Sequence, residues 1–124
     1  EWATYLQTRQ DGKMGGFELA RAGWGYDFAD PYNYLFMWLS DNLNFNDPRW
    51  KNAKYDELVK KTNSLPAGPE RNKLFYDAET ILNQELPVIP FYFYVSQHMI
   101  DLTKWGGWNS NSLDRHTWKF IFKK

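Results

Sequence analysis

The sequence predicts a mixed α/β (α+β) fold that forms part of a larger protein, and three observations predict it. Residues 52–63 and 69–85 carry apolar side chains at the three-to-four-residue spacing of amphipathic helices. Residues 88–95, Val-Ile-Pro-Phe-Tyr-Phe-Tyr-Val, are β-branched and aromatic almost throughout, which suits a strand. Strand signals are few and scattered between helices, and the last one follows a glycine-rich connection with no obvious partner nearby in sequence. The sheet that this chain builds alone is therefore small.

In chain order, Trp2, Tyr5 and Leu6 recur at helical spacing and no Gly or Pro interrupts residues 2–9, which read as a short amphipathic helix. Asp11-Gly12 ends it and Gly15-Gly16 extend the turn. Residues 17–22 alternate apolar with polar or small side chains, the period of a strand, and Gly23 stops it. Residues 24–31 mix aromatic and acidic residues with Gly25 and Pro31 and read as an ordered loop. Asp30 is placed to cap a helix that has Pro31 at its first position and runs to about Leu39. Residues 40–50 are polar, Asn-rich and aperiodic, hence loop. The helix over 52–63 puts Ala53, Tyr55, Leu58, Val59 and Thr62 on one face. The sequence Leu-Pro-Ala-Gly-Pro at 65–69 breaks it, and Pro69 opens a longer helix to about Glu85 with Leu74, Phe75, Ala78, Ile81 and Leu82 as its stripe. The strand at 88–95 contains Pro90, which argues for an edge or an early position. A weaker strand is expected at 98–102, turns at Gly106-Gly107 and 109–112, and a terminal strand at 117–122.

Composition narrows the function classes. With 124 residues the chain has the size of one domain and can bury roughly two-thirds of its unfolded surface. The absence of Cys excludes disulfides, a thiolate zinc site and a cysteine nucleophile. Fifteen basic and fifteen acidic side chains give zero formal net charge, so nucleic acid and anionic lipid are not favoured partners. The longest apolar runs fall far short of the roughly 20 residues that cross a bilayer. No secretion signal opens the chain, so any such signal is missing or already removed. The 7 Trp, 8 Tyr and 9 Phe make aromatic excess the compositional feature to explain.

Catalytic and cofactor motifs were weighed in turn. His98 and His116 lie eighteen residues apart without H-x-x-x-H or H-E-x-x-H spacing, so two surface or packing histidines are favoured over a metal site, and no cofactor is expected. There is no G-x-S-x-G turn, and Gly12, Gly15 and Gly16 form neither a dinucleotide nor a Walker motif. Asp27 and Asp30 in an aromatic loop raise the possibility of a glycosidase pair, but Asp30 is explained as a helix cap, which leaves a single acid. A lone Asp beside Trp24 and Tyr26 can bind an ammonium group, and Arg21 on the preceding strand can take a carboxylate in bidentate fashion. Together they would read the two ends of a zwitterion; on composition alone, pairing with each other or with surface groups is the commoner outcome.

These residues also carry a resemblance. Residues 1–6, Glu-Trp-Ala-Thr-Tyr-Leu, followed by residues 17–31, Phe-Glu-Leu-Ala-Arg-Ala-Gly-Trp-Gly-Tyr-Asp-Phe-Ala-Asp-Pro, closely resemble the C-terminal part of extracytoplasmic oligopeptide-binding proteins, the solute receptors of peptide ABC transporters. Trp50-Lys51-Asn52 with Tyr55-Asp56-Glu57-Leu58 resembles the family's W-x-N-x-x-Y-D-x-L helix start, and residues 87–95 its P-V-I-P-aromatic strand. Leu113-Asp114-Arg115-His116 resembles its P-L-D-R-H ending, with Ser112 where the family often has Pro.

The resemblance implies a two-lobed periplasmic-binding-protein-like fold of class II that closes on an extended peptide, with no catalysis. Residues 1–106 would supply part of the C-terminal lobe, and residues 107–124 would cross the hinge and add a strand to the other lobe. The stretch 22–27 would border the cleft, where its backbone, including Gly23 and Gly25, pairs with the ligand backbone. Asp27 would bind the peptide ammonium, Arg21 would meet the ligand carboxylate, and Trp24 would wall a side-chain pocket. The implied partners are an oligopeptide, the membrane ABC permease and the remainder of the receptor chain; the implied location is periplasmic, or extracytoplasmic as a lipoprotein. The turn at 13–16 is longer than the family's, and the 40–50 loop diverges, with Phe45 and Trp50 near the cleft. Relatives on this fold bind varied solutes, so an oligosaccharide receptor stays open, as does, in a different class, a free-standing carbohydrate-binding module.

Overall fold

The computed structural model describes residues 1–10 and 17–124. The turn expected around Asp11-Gly12 and Gly15-Gly16, and its extra length, lie outside the described residues. The chain forms helices α1 (Trp2–Gln10), α2 (Tyr32–Leu35), α3 (Ala53–Thr62) and α4 (Pro69–Glu85), with a 3-10 turn at Phe36–Trp38 continuing α2. Strand β1 (Trp105–Gly106), a second 3-10 turn at Trp118–Phe120 and strand β2 (Phe122–Lys123) complete it. No helix among the described residues is long and apolar enough to cross a membrane.

The core sits where α2, α3 and α4 meet. Leu35 and Leu39 pack against Tyr55, Leu58 and Val59 of α3 and against Phe75, Ala78 and Leu82 of α4. These are the apolar faces that the helical spacing predicts, except that Ala53 is exposed at the first position of α3. Tyr55 is fully buried, and its hydroxyl donates to the Leu35 carbonyl at 2.6 Å, so the largest polar atom in the core closes the junction of α2 and α3. Burial raises that phenol well above the ordinary tyrosine value.

The helix ends follow local chemistry. Asn52 caps α3, its side chain accepting the Tyr55 N–H at 2.9 Å. Pro69 opens α4 in the first turn, and Leu86 closes it in a left-handed conformation at φ 52°. Asp30 accepts the Tyr32 N–H at 2.9 Å through its side chain, as a cap should, although the helix proper begins after Pro31 and is tighter and shorter than expected. The 40–50 loop is a loop as predicted, and it is built around buried Asn46. The Asn46 amide donates to the Leu39 and Trp50 carbonyls at 3.2 and 2.7 Å and accepts the Trp50 N–H at 3.1 Å. Glu85, at the end of α4, fastens the far end of that loop by accepting from the Trp50 indole and the Asn52 amide, each at 2.7 Å. Helix α1 buries no residue. Polar contacts hold it: Arg9 lies 2.5 Å from Asp47, and Arg49 donates to the Gln10 carbonyl at 2.7 Å.

The strand expectations fare differently. Residues 17–22, 88–95 and 98–102 form no strand. Their periodicity is that of a sheet, but a strand exists only where a second backbone meets its N–H and C=O groups, and among the described residues none does. Phe93 is 95% exposed as a result. The expected terminal strand shrinks to β2 behind a 3-10 turn, and it has a partner: Trp105 pairs with Lys123 and Gly106 with Phe122, antiparallel. Gly106-Gly107, expected as a turn, is instead the last residue of β1 followed by irregular backbone. The Phe122 ring lies over Gly106, where a Cβ would come within 2.4 Å of it. Gly107 adopts φ +81° with the Phe120 carbonyl against it, so only glycine fits there.

One ion pair joins the aromatic loop to the helices. Arg71 on α4 takes both oxygens of Asp30, at 2.5 and 3.0 Å, donates to the Thr62 carbonyl at 3.0 Å, and lays its guanidinium 4.6 Å above the Phe75 ring. Hydrogen bonding from Arg71 holds the Asp30 carboxyl below the usual carboxylate range. A carboxylate lowered by folding stabilises above its unfolded value, and that stabilisation is lost as pH falls through the folded value. Arg71→Met is expected to cost about 1.5–3 kcal/mol near neutral pH, as for hydrogen bonds to charged groups. In urea titrations the gap between wild type and variant should begin to close below about pH 4. A gap that stays constant into strong acid would mean that Arg71 acts through packing on Phe75 alone.

Candidate functional site

The residues nominated by sequence lie on the extended segment 21–27 and on what holds it. Three anchors fix this segment. At its start, the Arg21 carbonyl accepts the Tyr5 hydroxyl of α1. In its middle, the Trp24 indole N–H donates to the Asn33 side-chain carbonyl at 2.9 Å. At its end, the Asp27 backbone N–H donates to the same Asn33 oxygen at 3.2 Å. Asn33, 1% exposed in the first turn of α2, thus ties Trp24 and Asp27 to the core with one oxygen.

Between the anchors the backbone is open. Among the described residues, residues 22–26 make no backbone-to-backbone hydrogen bond, and Gly23 and Gly25 are exposed. A Cβ on Gly25 would meet nothing within 4 Å, and one on Gly23 would meet only the edge of Tyr94, at 3.7 Å. Trp24 is half-buried and stands edge-on to Phe45 and Phe36, with centroids 5.1 and 6.5 Å away. Tyr26 leans against Tyr34 at 6.0 Å. Trp24, Phe36 and Phe45 make one aromatic wall beside the open backbone, with Phe45 supplied by the 40–50 loop. Trp50 turns the other way, packing edge-on against Tyr55 at 4.9 Å.

The two charges are separate. Arg21 donates to the Tyr94 hydroxyl, and interactions with Tyr92 first and Tyr94 second raise its guanidinium further above its ordinary value. Asp27 is exposed, and among the described residues its nearest cation is the Arg115 guanidinium at 3.9 Å, beyond hydrogen-bonding distance. Arg21 and Asp27 do not pair with each other, so each charged tip remains available at its own end of the open backbone. A groove of about 450 Å³ between α1 and residues 17–21 includes Arg21 but neither Trp24 nor Asp27. The segment thus presents open peptide groups, an aromatic wall, and opposite charges at its two ends.

Sequence reasoning missed three supporting residues. Asn33 carries no motif, though an Asn inside an apolar helical stretch marks a buried polar atom in need of partners. Tyr94 was assigned to a strand face, and Arg115 to the resemblance at 113–116 without a contact.

No family model matches the chain. It is 34% identical over 100 residues to the periplasmic oligopeptide-binding protein OppA of Salmonella typhimurium, covering 81% of this chain and 18% of that protein. It is 38% identical over 104 residues to a probable deoxycholate-binding periplasmic protein of Escherichia coli, covering 84% of this chain and 18% of the relative. A dipeptide-binding protein of Bacillus subtilis is 32% identical over 99 residues, 80% of this chain and 18% of that protein. The chain therefore spans about a fifth of the length of the curated relatives that it matches.

Replacing Asn33 by Ala should leave the Trp24 indole and the Asp27 amide without their shared acceptor and lower stability by about 1–3 kcal/mol. The Trp24 indole N–H resonance is expected to move toward that of a solvated indole. An unmoved resonance would mean that Phe36 and Phe45 alone hold the ring.

Proposed function

Because the chain belongs to the extracytoplasmic oligopeptide-binding proteins, we propose that it forms part of a periplasmic receptor that binds peptides in a cleft between two lobes and delivers them to an ABC permease. The observation that carries this reading is the unpaired backbone at 22–26, flanked by Arg21 and Asp27, in a chain 32–34% identical to peptide-binding relatives. The receptor performs no chemistry on its ligand.

On this reading the ligand adds itself as a strand along 22–26, its N–H and C=O groups meeting those of Gly23 and Gly25. Such bonds ignore side-chain identity, so they suit a receptor for mixed peptides. Asp27 takes the ligand ammonium. Arg115, 3.9 Å away and beyond hydrogen-bonding distance, is the cation that the ammonium would displace or join. Arg21, already oriented by Tyr94, takes a carboxylate, and Trp24 with Phe45 lines a pocket for a ligand side chain. Residues 1–106 lie in one lobe and residues 107–124 lead across the hinge. Closure follows from the ligand's greater affinity for the closed state.

A second reading rests on the relative named for deoxycholate. An amphipathic carboxylate with a rigid apolar body would use Arg21 and the aromatic wall, leaving Asp27 idle. Calorimetry on the intact receptor separates the two. Peptides with free amino termini should lose roughly tenfold or more in affinity in Asp27→Ala, as expected for a charge-assisted hydrogen bond. N-acetylated peptides should bind weakly to both proteins. N-acetylated and free peptides binding alike would remove the role assigned to Asp27; deoxycholate binding that survives Asp27→Ala but not Arg21→Met would favour the second reading. The 124-residue chain alone, lacking the opposing wall of the cleft, should show no micromolar peptide binding.

A further inference from the structure

His98 and His116, set apart by spacing in the sequence, meet in the structure around one carboxylate. His98 Nε2 lies 2.7 Å from Asp114 Oδ2, and His116 Nε2 lies 3.0 Å from Asp114 Oδ1. The two imidazole nitrogens and a carboxylate oxygen all fall within 4.8 Å of one another. We propose that His98, Asp114 and His116 form a binding site for a borderline divalent cation, zinc above all, which clips the loop before β2 onto the extended segment before β1.

The donor set fits that class of ion. Two imidazoles and one carboxylate are ligands that zinc accepts, leaving a fourth position for water or another group. Ligands about 2.0–2.2 Å from a tetrahedral zinc lie roughly 3.3–3.6 Å apart, so the two rings, now at 2.7 and 3.0 Å, would each draw back from the carboxylate by less than about 1 Å while the two imidazole nitrogens, within 4.8 Å of each other, settle to the same spacing. Neither calcium nor magnesium fits, since both prefer all-oxygen shells.

The site is also braced. His116 lies flat on Trp108, ring centroids 3.6 Å apart and planes within 14°, and its side chain is only 9% exposed. His98 stands edge-on to both Trp108 and His116, at 4.9 and 5.1 Å. Asp114 adopts φ +51°, the left-handed region that aspartate enters more readily than most non-glycine residues. Asn111 braces this turn: its backbone carbonyl accepts the Asp114 N–H at 3.1 Å, and its side chain exchanges hydrogen bonds with the Arg115 backbone, both at 3.0 Å. Spacing rules miss such a site because they assume that ligands share a helix, whereas here a loop folds back across sixteen residues.

The test is a titration of metal-free 124-residue chain with zinc sulfate, followed by calorimetry and by imidazole NMR. One zinc per chain is expected at micromolar affinity or tighter, with the Nε2 resonances of His98 and His116 shifting together. Asp114→Asn, which keeps the side chain's shape but removes its charge and one acceptor oxygen, should weaken binding about tenfold or more, as should His98→Gln. Zinc should also raise the melting temperature of wild type and leave that of Asp114→Asn unchanged. No binding at one equivalent, affinity retained in both variants, or equal affinity in urea would each overturn the proposal, the last by showing that unfolded histidines suffice. If His98→Gln fails to fold, judged by far-ultraviolet circular dichroism, Asp114→Asn decides alone.

Discussion

The contact on which the arrangement depends is the bidentate pair between Arg71 and Asp30. It joins three things that would otherwise be independent: the aromatic loop, the first turn of α2 that Asp30 caps, and the C-terminus of α3 through the Thr62 carbonyl. Without it, α3 and α4 would still pack, since Leu58 and Val59 of α3 share one buried apolar cluster with Phe75, Ala78 and Leu82 of α4. The loop carrying Trp24 and Asp27 would lose its fixed position on that pair of helices. A guanidinium suits this place because its planar donors serve the carboxylate and the carbonyl at once while its face covers Phe75; an ammonium would reach one of these.

How much of this was legible depends on range. Helices α3 and α4 were readable to within a residue because their signal is local: period, cap and proline all lie inside the element. The loop at 40–50 was readable as loop, but not that Asn46 would organise it, because the carbonyls it reaches belong to Leu39 and Trp50 and nothing in its neighbours marks them. Strand character at 88–95 was read correctly as composition and failed as structure, because pairing depends on a second segment that the pattern cannot name. The same limit applies at the site. Arg21 and Asp27 stood out by type and resemblance, whereas Asn33, Tyr94 and Arg115 act across distances of 6 to 88 residues. The histidine cluster is the extreme case, with a spacing that argued against any shared role.

The aromatic excess divides along these lines. Tyr55 and Phe75 belong to the core, Trp24, Phe36 and Phe45 make the wall beside the open backbone, and Trp108 supports the histidines. Phe91 and Phe93 remain exposed on a segment whose peptide groups are also unpaired among the described residues. Apolar side chains and free backbone on one stretch are the two halves of the same requirement, a neighbouring strand.

Gly25 and Gly107 are glycines for different reasons. Gly107 is demanded by the structure, because a side chain there would collide with the Phe120 carbonyl and φ is +81°. Gly25 has neither excuse: its backbone is not left-handed, and a Cβ would find open space. What a side chain would cover is the approach to the unpaired amides beside Trp24. For a receptor that binds its ligand by the main chain, bareness at that position is useful in itself, since a methyl group would stand where the ligand backbone must come close. Arg21 and Asp27 are likewise kept apart, one oriented by tyrosine hydroxyls and the other facing Arg115 at 3.9 Å. Paired with each other they would neutralise the two ends of the open backbone.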